Sequence, residues 1–411
     1  MSKNAFADVA AVPGCAQWEA LIRRETGLYR RDDEVRSEFA RDYTRLLHSL
    51  AYRRLKHKTQ VFYNIDNDHV CTRMEHVAHV ESVSGTIAKF LGLNTELTKA
   101  IATGHDVGHA PFGHQGERIL NELSQKYLGT AFWHERNGLR FVDKIDLLAN
   151  SYNDKKNLDL TYAVRDGIIS HCGEVDENGL FPRKELIDLE REFTAPGMFQ
   201  PATWEGCLVK IADKVAYIGR DIEDAKRLGF LNGEAEERLQ DMARIDNERV
   251  LNTTVIMHNM IIDICENSTP ERGICLSERF FGQMTELKKF NYEYIYRHKR
   301  FRTYSKYSAM VIHELFDALY EQFDGKATWM KLEKEAKYCP ELFRNFRKYL
   351  SNYVNPDQVP EEFSREVFRY RNEKVYGDLD TSEQYVQAII DFISGMTDRY
   401  AIAAFEELLK Y

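Results

Sequence analysis

HDVGHAPFGHQGE, residues 105–117, sets adjacent His105 and Asp106 between two glycines, Gly104 and Gly108, and follows them with His109, His114 and Glu117. Neighbouring residues on a helix diverge by about 100°, so an adjacent His and Asp can share one metal only at a helix end or bend. The flanking glycines permit such a bend. Remaining ligands must then come from other helices, so the reading is of a mostly α bundle whose helices converge on this stretch. Seven of the thirteen histidines fall between His69 and His134, which concentrates acid-base groups in the same region.

The chain of 411 residues is long enough for two or three domains or one large helical one. With 43% hydrophobic and 29% charged residues it has the material for a substantial core. The formal net charge of −9 argues against general nucleic-acid binding and leaves room for a local basic pocket. The seven cysteines are odd in number and include no CxxC pair, which points to reduced thiols in a cytoplasmic setting. Val12-Pro13-Gly14-Cys15 is similar to a lipoprotein cleavage box, but Asp8 interrupts an apolar run already too short for a signal peptide. No stretch approaches the ~18 apolar residues of a membrane span.

Helical periodicity recurs along the chain. Met74, Val77, Val80, Val83, Ile87 and Leu91 step by threes and fours, which predicts a helix over 74–91. Asn94-Thr95 offers a cap for a second helix through Leu97, Ala100 and Ile101 into Gly104. Further helices are predicted at 114–127 and 205–228, and from about 250 to the end. TQVFYNI (59–65) is the best strand candidate. No internal repeat or low-complexity tract is visible. The expected division is an N-terminal helical extension (1–45), a catalytic unit (46–230) and a C-terminal helical region packed on it (231–411).

A divalent site needs three or four N/O ligands. His105 and Asp106 supply two. Asp213, in LVKIADKVAYIGRDIEDA (208–225), is the natural distant carboxylate, because a charge in so apolar a helix is costly unless paired with a cation or metal. Tyr217, Arg220 and Asp221 stand four, seven and eight residues on and share its face within about 100° of arc. The pairing alternative leaves Asp213 opposite Arg220 or a lysine. His76 and His79, three residues apart on one face, compete as the remaining ligand. His171, in GIISHCGE, is read as a turn cap or core residue rather than a second metal ligand.

His114 is a candidate general acid, because imidazole changes charge near neutral pH. Glu117, three residues on, shares its face if a helix begins there, and would orient the ring.

The pattern His76…His105-Asp106…Asp213 resembles the HD-domain metal-dependent phosphohydrolases. Five blocks in order are similar to the deoxyguanosine triphosphate triphosphohydrolase family: RDYTRLLHSLAYRRLKHKTQVF (41–62), TRMEH (72–76), HDVGHAPFGHQGE (105–117), FWHERNGLR (132–140) and ADKVAYIGRDIEDA (212–225). ELKKFNYEYIYRH (286–298) continues the likeness weakly. The resemblance selects His76 over His79 as the first ligand. One departure is that the family commonly reads a carboxylate where this chain has His79.

What the resemblance implies is an HD-domain helical fold and the reaction of a dNTP, dGTP foremost, with water to give deoxynucleoside and inorganic triphosphate. Mn²⁺ or Mg²⁺ is the expected metal, with Fe, Co, Ni or Zn as chemical alternatives. His134 becomes a second catalytic or phosphate-contacting histidine, paired with Glu135. Arg73, His109, Lys214, Arg220 and Gln60 are candidate donors to the triphosphate. The basic run Arg53, Arg54, Lys56 and Lys58 could add donors, though a solvated face is the simpler role for most of it. Tyr217 and Asp221 would contact the nucleotide, Asp221 at the sugar 3′-hydroxyl. Tyr217, Tyr294 or Tyr296 would exclude a 2′-hydroxyl. Relatives form hexamers or tetramers, so a homo-oligomer is expected by analogy, and single-stranded DNA or a nucleotide effector is a candidate partner. Two other readings compete: an HD enzyme acting on monophosphates or cyclic nucleotides, and a nucleotide sensor without catalysis.

Overall fold

A computed structural model describes residues 3–27, 33–62, 67, 69–172, 177–245 and 252–410. The helices that frame the site are α1 (Glu38–His48), α2 (Arg73–Leu91), α3 (Thr95–Gly104), α4 (Gly113–Leu128), α5 (His134–Arg140), α6 (Tyr162–Ser170) and α7 (Trp204–Arg227). The C-terminal part adds α8 (Thr253–Asn267), α9 (Glu278–Phe290), α10 (Phe301–Tyr320), α11 (Ser382–Ser394) and α12 (Asp398–Leu408), with shorter helical segments between. The mostly α class expected from the periodicity is what the chain forms.

Local chemistry sets the helix starts. Thr72 and Glu75 form a reciprocal capping box at the head of α2, and Gly92 ends it in the left-handed conformation at φ 83°. Asn94 caps α3 by accepting from the amides of Glu96 and Leu97, an arrangement whose loss typically costs about 1 kcal/mol. α3 is the central helix, packed against α1, α2, α6 and α7. Its Leu97, Ala100, Ile101 and Ala102 have no exposed surface, and full burial of a large aliphatic stabilises by roughly 1.5–3 kcal/mol. α10 and α11 pack on α4, and α12 packs on α10. The N-terminal segment is tied down where the Ala11 and Asn94 amides both donate to Oε1 of Glu205 in α7, at 3.0 and 2.9 Å.

The strand expected at 59–65 does not form over 59–62, and residues 63–65 lie outside those described. Thr59 makes a single antiparallel bridge to Thr72. Its amide and hydroxyl donate to Asp398 instead of to a neighbouring strand. Phe62 packs into an aromatic cluster with Phe230 and Phe301. The apolar content of this run therefore serves core packing. The described residues do form a short antiparallel hairpin, β1 (Leu147–Ala149) and β2 (Lys155–Asn157), with Leu148 opposite Lys156. All seven cysteines are free thiols. No described helix is long and apolar enough to cross a membrane.

Candidate metal and acid-base centre

His105 caps the C-terminus of α3 and Asp106 follows in the turn. The bend sets the His105 ring beside His76 from α2 and Asp213 from α7, with Asp106 adjoining His105. The ligand atoms of His76, His105 and Asp213 lie within 4.8 Å of one another. His76 Nε2 is 2.9 Å from Asp213 Oδ1 and 3.4 Å from His105 Nε2, and Asp106 Oδ1 is 3.7 Å from His105 Nε2. His105 Nδ1 faces the Ala102 carbonyl oxygen at 2.7 Å. Donating there leaves the Nε2 lone pair pointing inward, the orientation that metal-bound histidines use. Two imidazole nitrogens aimed at each other beside the Asp213 carboxylate make an N/N/O donor set that fits a divalent cation, whereas Asp106, the fourth expected ligand, lies outside that converging group, with its oxygens on His109 and Arg73. The partners of Asp213 are His76 and His105, and they hold its carboxyl below the usual range despite burial. His79, half-buried, belongs to none of the converging His/Asp/Glu groups among the described residues.

Behind the metal set lies a second cluster. Asp106 Oδ1 accepts from His109 Nε2 at 2.9 Å, while its Oδ2 accepts from Arg73 Nη1 at 3.0 Å. Burial, then Arg73 and His134, depress the His109 ring well below the usual imidazole range, so it is neutral. His109 Nδ1 is buried without a protein partner and is thus available to a ligand. The His109 ring stacks on His134 at 3.8 Å between centroids. His134 in turn donates from its amide (3.0 Å) and Nδ1 (3.2 Å) to Glu117. Burial alone would depress His134, but Glu135 and Glu117 outweigh it and raise the ring to about 10. Glu117, opposite this imidazolium, is held well below its usual range despite burial.

His114 and Glu117 do share one face of α4, with Nδ1 3.4 Å from Oε2. His114 is 67% exposed at its side chain, whereas Glu117 and His134 are at 16% and 13%. Glu117 therefore serves two histidines. The sequence suggested only the first of these bonds, because His134 lies 17 residues away. Gly108 makes the approach possible. A Cβ there would stand 2.1 Å from both the His134 carbonyl oxygen and the Gly138 nitrogen, so the loop lies directly against α5. His171 is buried with Nδ1 2.7 Å from the Ile168 carbonyl oxygen, and its ring meets His105 edge-on at 5.1 Å and His134 at 5.6 Å. It is a core residue wedged between the two clusters, kept neutral by burial and by its histidine neighbours.

The other candidates fall into two groups. Arg73, Lys214 and Asp221 are buried. Asp221 accepts from Tyr296 at 2.5 Å, and burial raises its carboxyl to about 7. Tyr217 and Tyr296 line a cavity of about 620 Å³ together with Tyr292, Arg238, Lys288 and Arg297. That volume lies in the ~300–1,000 Å³ range of small-molecule sites. Gln60 Oε1 is buried without a partner. Arg220, by contrast, pairs with Glu223 at 3.1 Å and Asp224 at 4.0 Å on its own helix. Lys58 is neither a solvated cation nor a surface donor: it is buried and bonded to the backbone carbonyls of His109 and Ser394. In the sequence, only its position inside an otherwise exposed basic run could have marked it.

The chain matches the HD domain family over residues 73–218, the span from Arg73 through the Asp213 helix. It matches the phosphohydrolase-associated domain over 274–336 and 330–407. It is 31% identical to a deoxyguanosinetriphosphate triphosphohydrolase-like protein of Caldanaerobacter subterraneus subsp. tengcongensis, over 95% of this chain and 91% of that one. Proteins with the same description from Clostridium tetani (31% identity, 92% and 86% coverage) and Thiobacillus denitrificans (30%, 95% and 96%) are similarly related. The chain is therefore an HD-domain phosphohydrolase, and it belongs to the deoxyguanosinetriphosphate triphosphohydrolase-like family.

Proposed function

We propose that the protein hydrolyses deoxynucleoside triphosphates, dGTP among them, to deoxynucleoside and inorganic triphosphate. The observation that carries this reading is the arrangement along one face of α7: Asp213 reaches the metal set, Tyr217, one turn on, lines the tyrosine- and lysine-lined cavity, and Asp221, a turn further, bonds Tyr296 of that lining. A nucleotide laid along that face puts its phosphates at the histidines and its sugar at Asp221. The names its relatives carry and the buried cations beside the proposed ligands support a triphosphate substrate.

His76, His105, Asp106 and Asp213 would hold the metal, with Mn²⁺ or Mg²⁺ proposed. When bound, such an ion lowers the pKa of a water and polarises a phosphoryl oxygen. The remaining chemistry belongs to the chain. Arg73 and Lys214 neutralise phosphate charge, and the unpartnered Nδ1 of neutral His109, whose N–H is spent on Asp106, can accept from the attacking water or a protonated oxygen but not donate to the phosphates. As water oxygen bonds to the α-phosphorus and the bond to the 5′-oxygen breaks, that oxygen must gain a proton. Between the two histidines on Glu117, His114 is the better donor. Its side chain is open to solvent, whereas His134, held up at about 10, yields its proton reluctantly. His134 then acts as a fixed positive charge, keeping Glu117 anionic and facing the phosphates. In this reading Asp221, with Tyr296 on its carboxylate, accepts from the 3′-hydroxyl, and Tyr217 or Tyr296 crowds a 2′-hydroxyl.

The test is incubation of the purified protein with each dNTP and NTP, with and without Mn²⁺, separating triphosphate from pyrophosphate and orthophosphate. Intact triphosphate from dNTPs is expected. Orthophosphate or pyrophosphate as first product would overturn the reading.

A further inference from the structure

The C-terminal helices α11 and α12 grip the acid-base cluster at two buried carboxylates. Asp391 of α11 accepts from Arg140, the last residue of α5, through Nε at 2.8 and 2.9 Å and Nη2 at 2.6 Å. It also accepts from Tyr376 and Gln387, both at 2.8 Å. Asp398, the first residue of α12, accepts from the Phe112 amide at 2.9 Å with one oxygen. Its other oxygen accepts from the Thr59 amide at 3.3 Å and hydroxyl at 2.7 Å. Between them, the Ser394 carbonyl accepts from Lys58 at 3.0 Å, and Lys58 also donates to the His109 carbonyl.

The places that are gripped matter. α5 begins with His134, so Arg140 fixes the helix that aims this ring. Phe112 is the residue before α4, which carries His114 and Glu117, and it sits in the left-handed region at φ 66°. A bulky residue disfavours that conformation and needs the surroundings to impose it. The hydrogen bond from its amide to Asp398 and the burial of its ring against Tyr304 are the contacts that hold it there. Neither carboxylate lies in the segment that matches the HD domain; both lie in the associated segment.

We infer that Asp391 and Asp398 are positioning residues: the α11–α12 corner is a two-point clamp that holds α5 and the head of α4 at the separation at which Glu117 bonds both His114 and His134. This rests on the proposed hydrolysis for its kinetic readout but not for its structural one. A clamp that only stabilised the fold would lower melting temperature and leave turnover per folded molecule unchanged. A positioning clamp changes turnover in molecules that are folded and metal-loaded, since a displacement of about 1 Å at a reacting group can cost ~10²-fold.

The experiment compares wild type, Asp398→Ala, Asp398→Asn and Asp391→Asn for metal content, melting temperature, kcat and KM with dGTP and Mn²⁺. Hydrogen exchange is followed over 109–118, at Thr59 and over α7. For Asp398→Ala the expected result is a kcat loss of ~10²-fold with metal content retained and KM within about twofold. Faster exchange over 109–118, as well as at Thr59, but not over α7, should accompany it. Asp398→Asn, which keeps one acceptor oxygen, should recover part of kcat. If Asp398→Ala does not fold, Asp391→Asn carries the same test through α5. Unchanged kcat per folded molecule, or an Asn variant no better than Ala, would overturn the clamp. Should wild type prove inactive on dNTPs, the proposed function fails, and the exchange data alone decide the clamp: unaltered exchange at 109–118 in Asp398→Ala removes it.

Discussion

The imidazoles of His109 and His134 lie stacked, 3.8 Å between centroids and 17° from parallel. One is neutral and the other charged, because burial and Arg73 depress His109 while Glu135 and Glu117 raise His134. The stack joins the metal set to the acid-base cluster in one chain of contacts, from Asp106 through His109 and His134 to Glu117 and His114.

His134→Gln should remove the fixed positive charge. Turnover is expected to fall by ~10²-fold with metal retained, in line with loss of a preorganised electrostatic contact. A ring raised to about 10 contributes stability that is fully present below the unfolded value near 6.5 and is lost as pH rises through about 10. Wild-type melting temperature should therefore decline between these pH values more steeply than that of His134→Gln. Parallel curves would show that His134 is not held charged.

His114→Ala should lose ~10²–10⁴-fold in turnover. With its side chain 67% exposed, its melting temperature should move little. Near-wild-type turnover would remove His114 from the mechanism. Glu117→Ala should be at least as damaging to turnover and should also destabilise, by about 1–3 kcal/mol, because it leaves the buried His134 amide without its acceptor and the ring with Glu135 alone.

Elemental analysis distinguishes the metal ligands from their neighbours. His76→Ala and Asp213→Ala should lose most bound metal, while His79→Ala keeps it. Chelation should lower the melting temperature of wild type, as any ligand specific to the folded state stabilises it by mass action. Equal metal in His76→Ala and His79→Ala would refute the assignment.

Asp221→Asn should trade activity for stability. Burial raises the Asp221 carboxyl from 3.8 to about 7. Its favourable neutral form is fully populated below pH 3.8 and is lost as pH rises through about 7. At pH 8 the asparagine variant should melt higher than wild type, at pH 5 the difference should shrink, and dNTP turnover should fall at both. A lower melting temperature at pH 8 would mean that Asp221 is stabilising as the anion.

The sequence by itself determined what depends on near neighbours. The helix capped at Asn94, the bend at His105-Asp106, the shared face of His114 and Glu117, and the Asp213 stripe on α7 are all within a few turns of helix, where periodicity fixes geometry. The resemblance then chose His76 over His79. Tertiary structure decided which distant groups meet these faces. Glu117 gains His134 from 17 residues away, and Phe112 is held by Asp398 from 286 residues away. Lys58 reads as one more cation in a basic run until its ammonium is seen buried between two carbonyls. The TQVF run carries strand-forming residues, yet its Thr59 bonds Asp398 and its Phe62 packs in the core. Spacing along a chain constrains local direction only; a long-range partner is selected by how whole helices pack, and that is settled by the burial of all their apolar faces together.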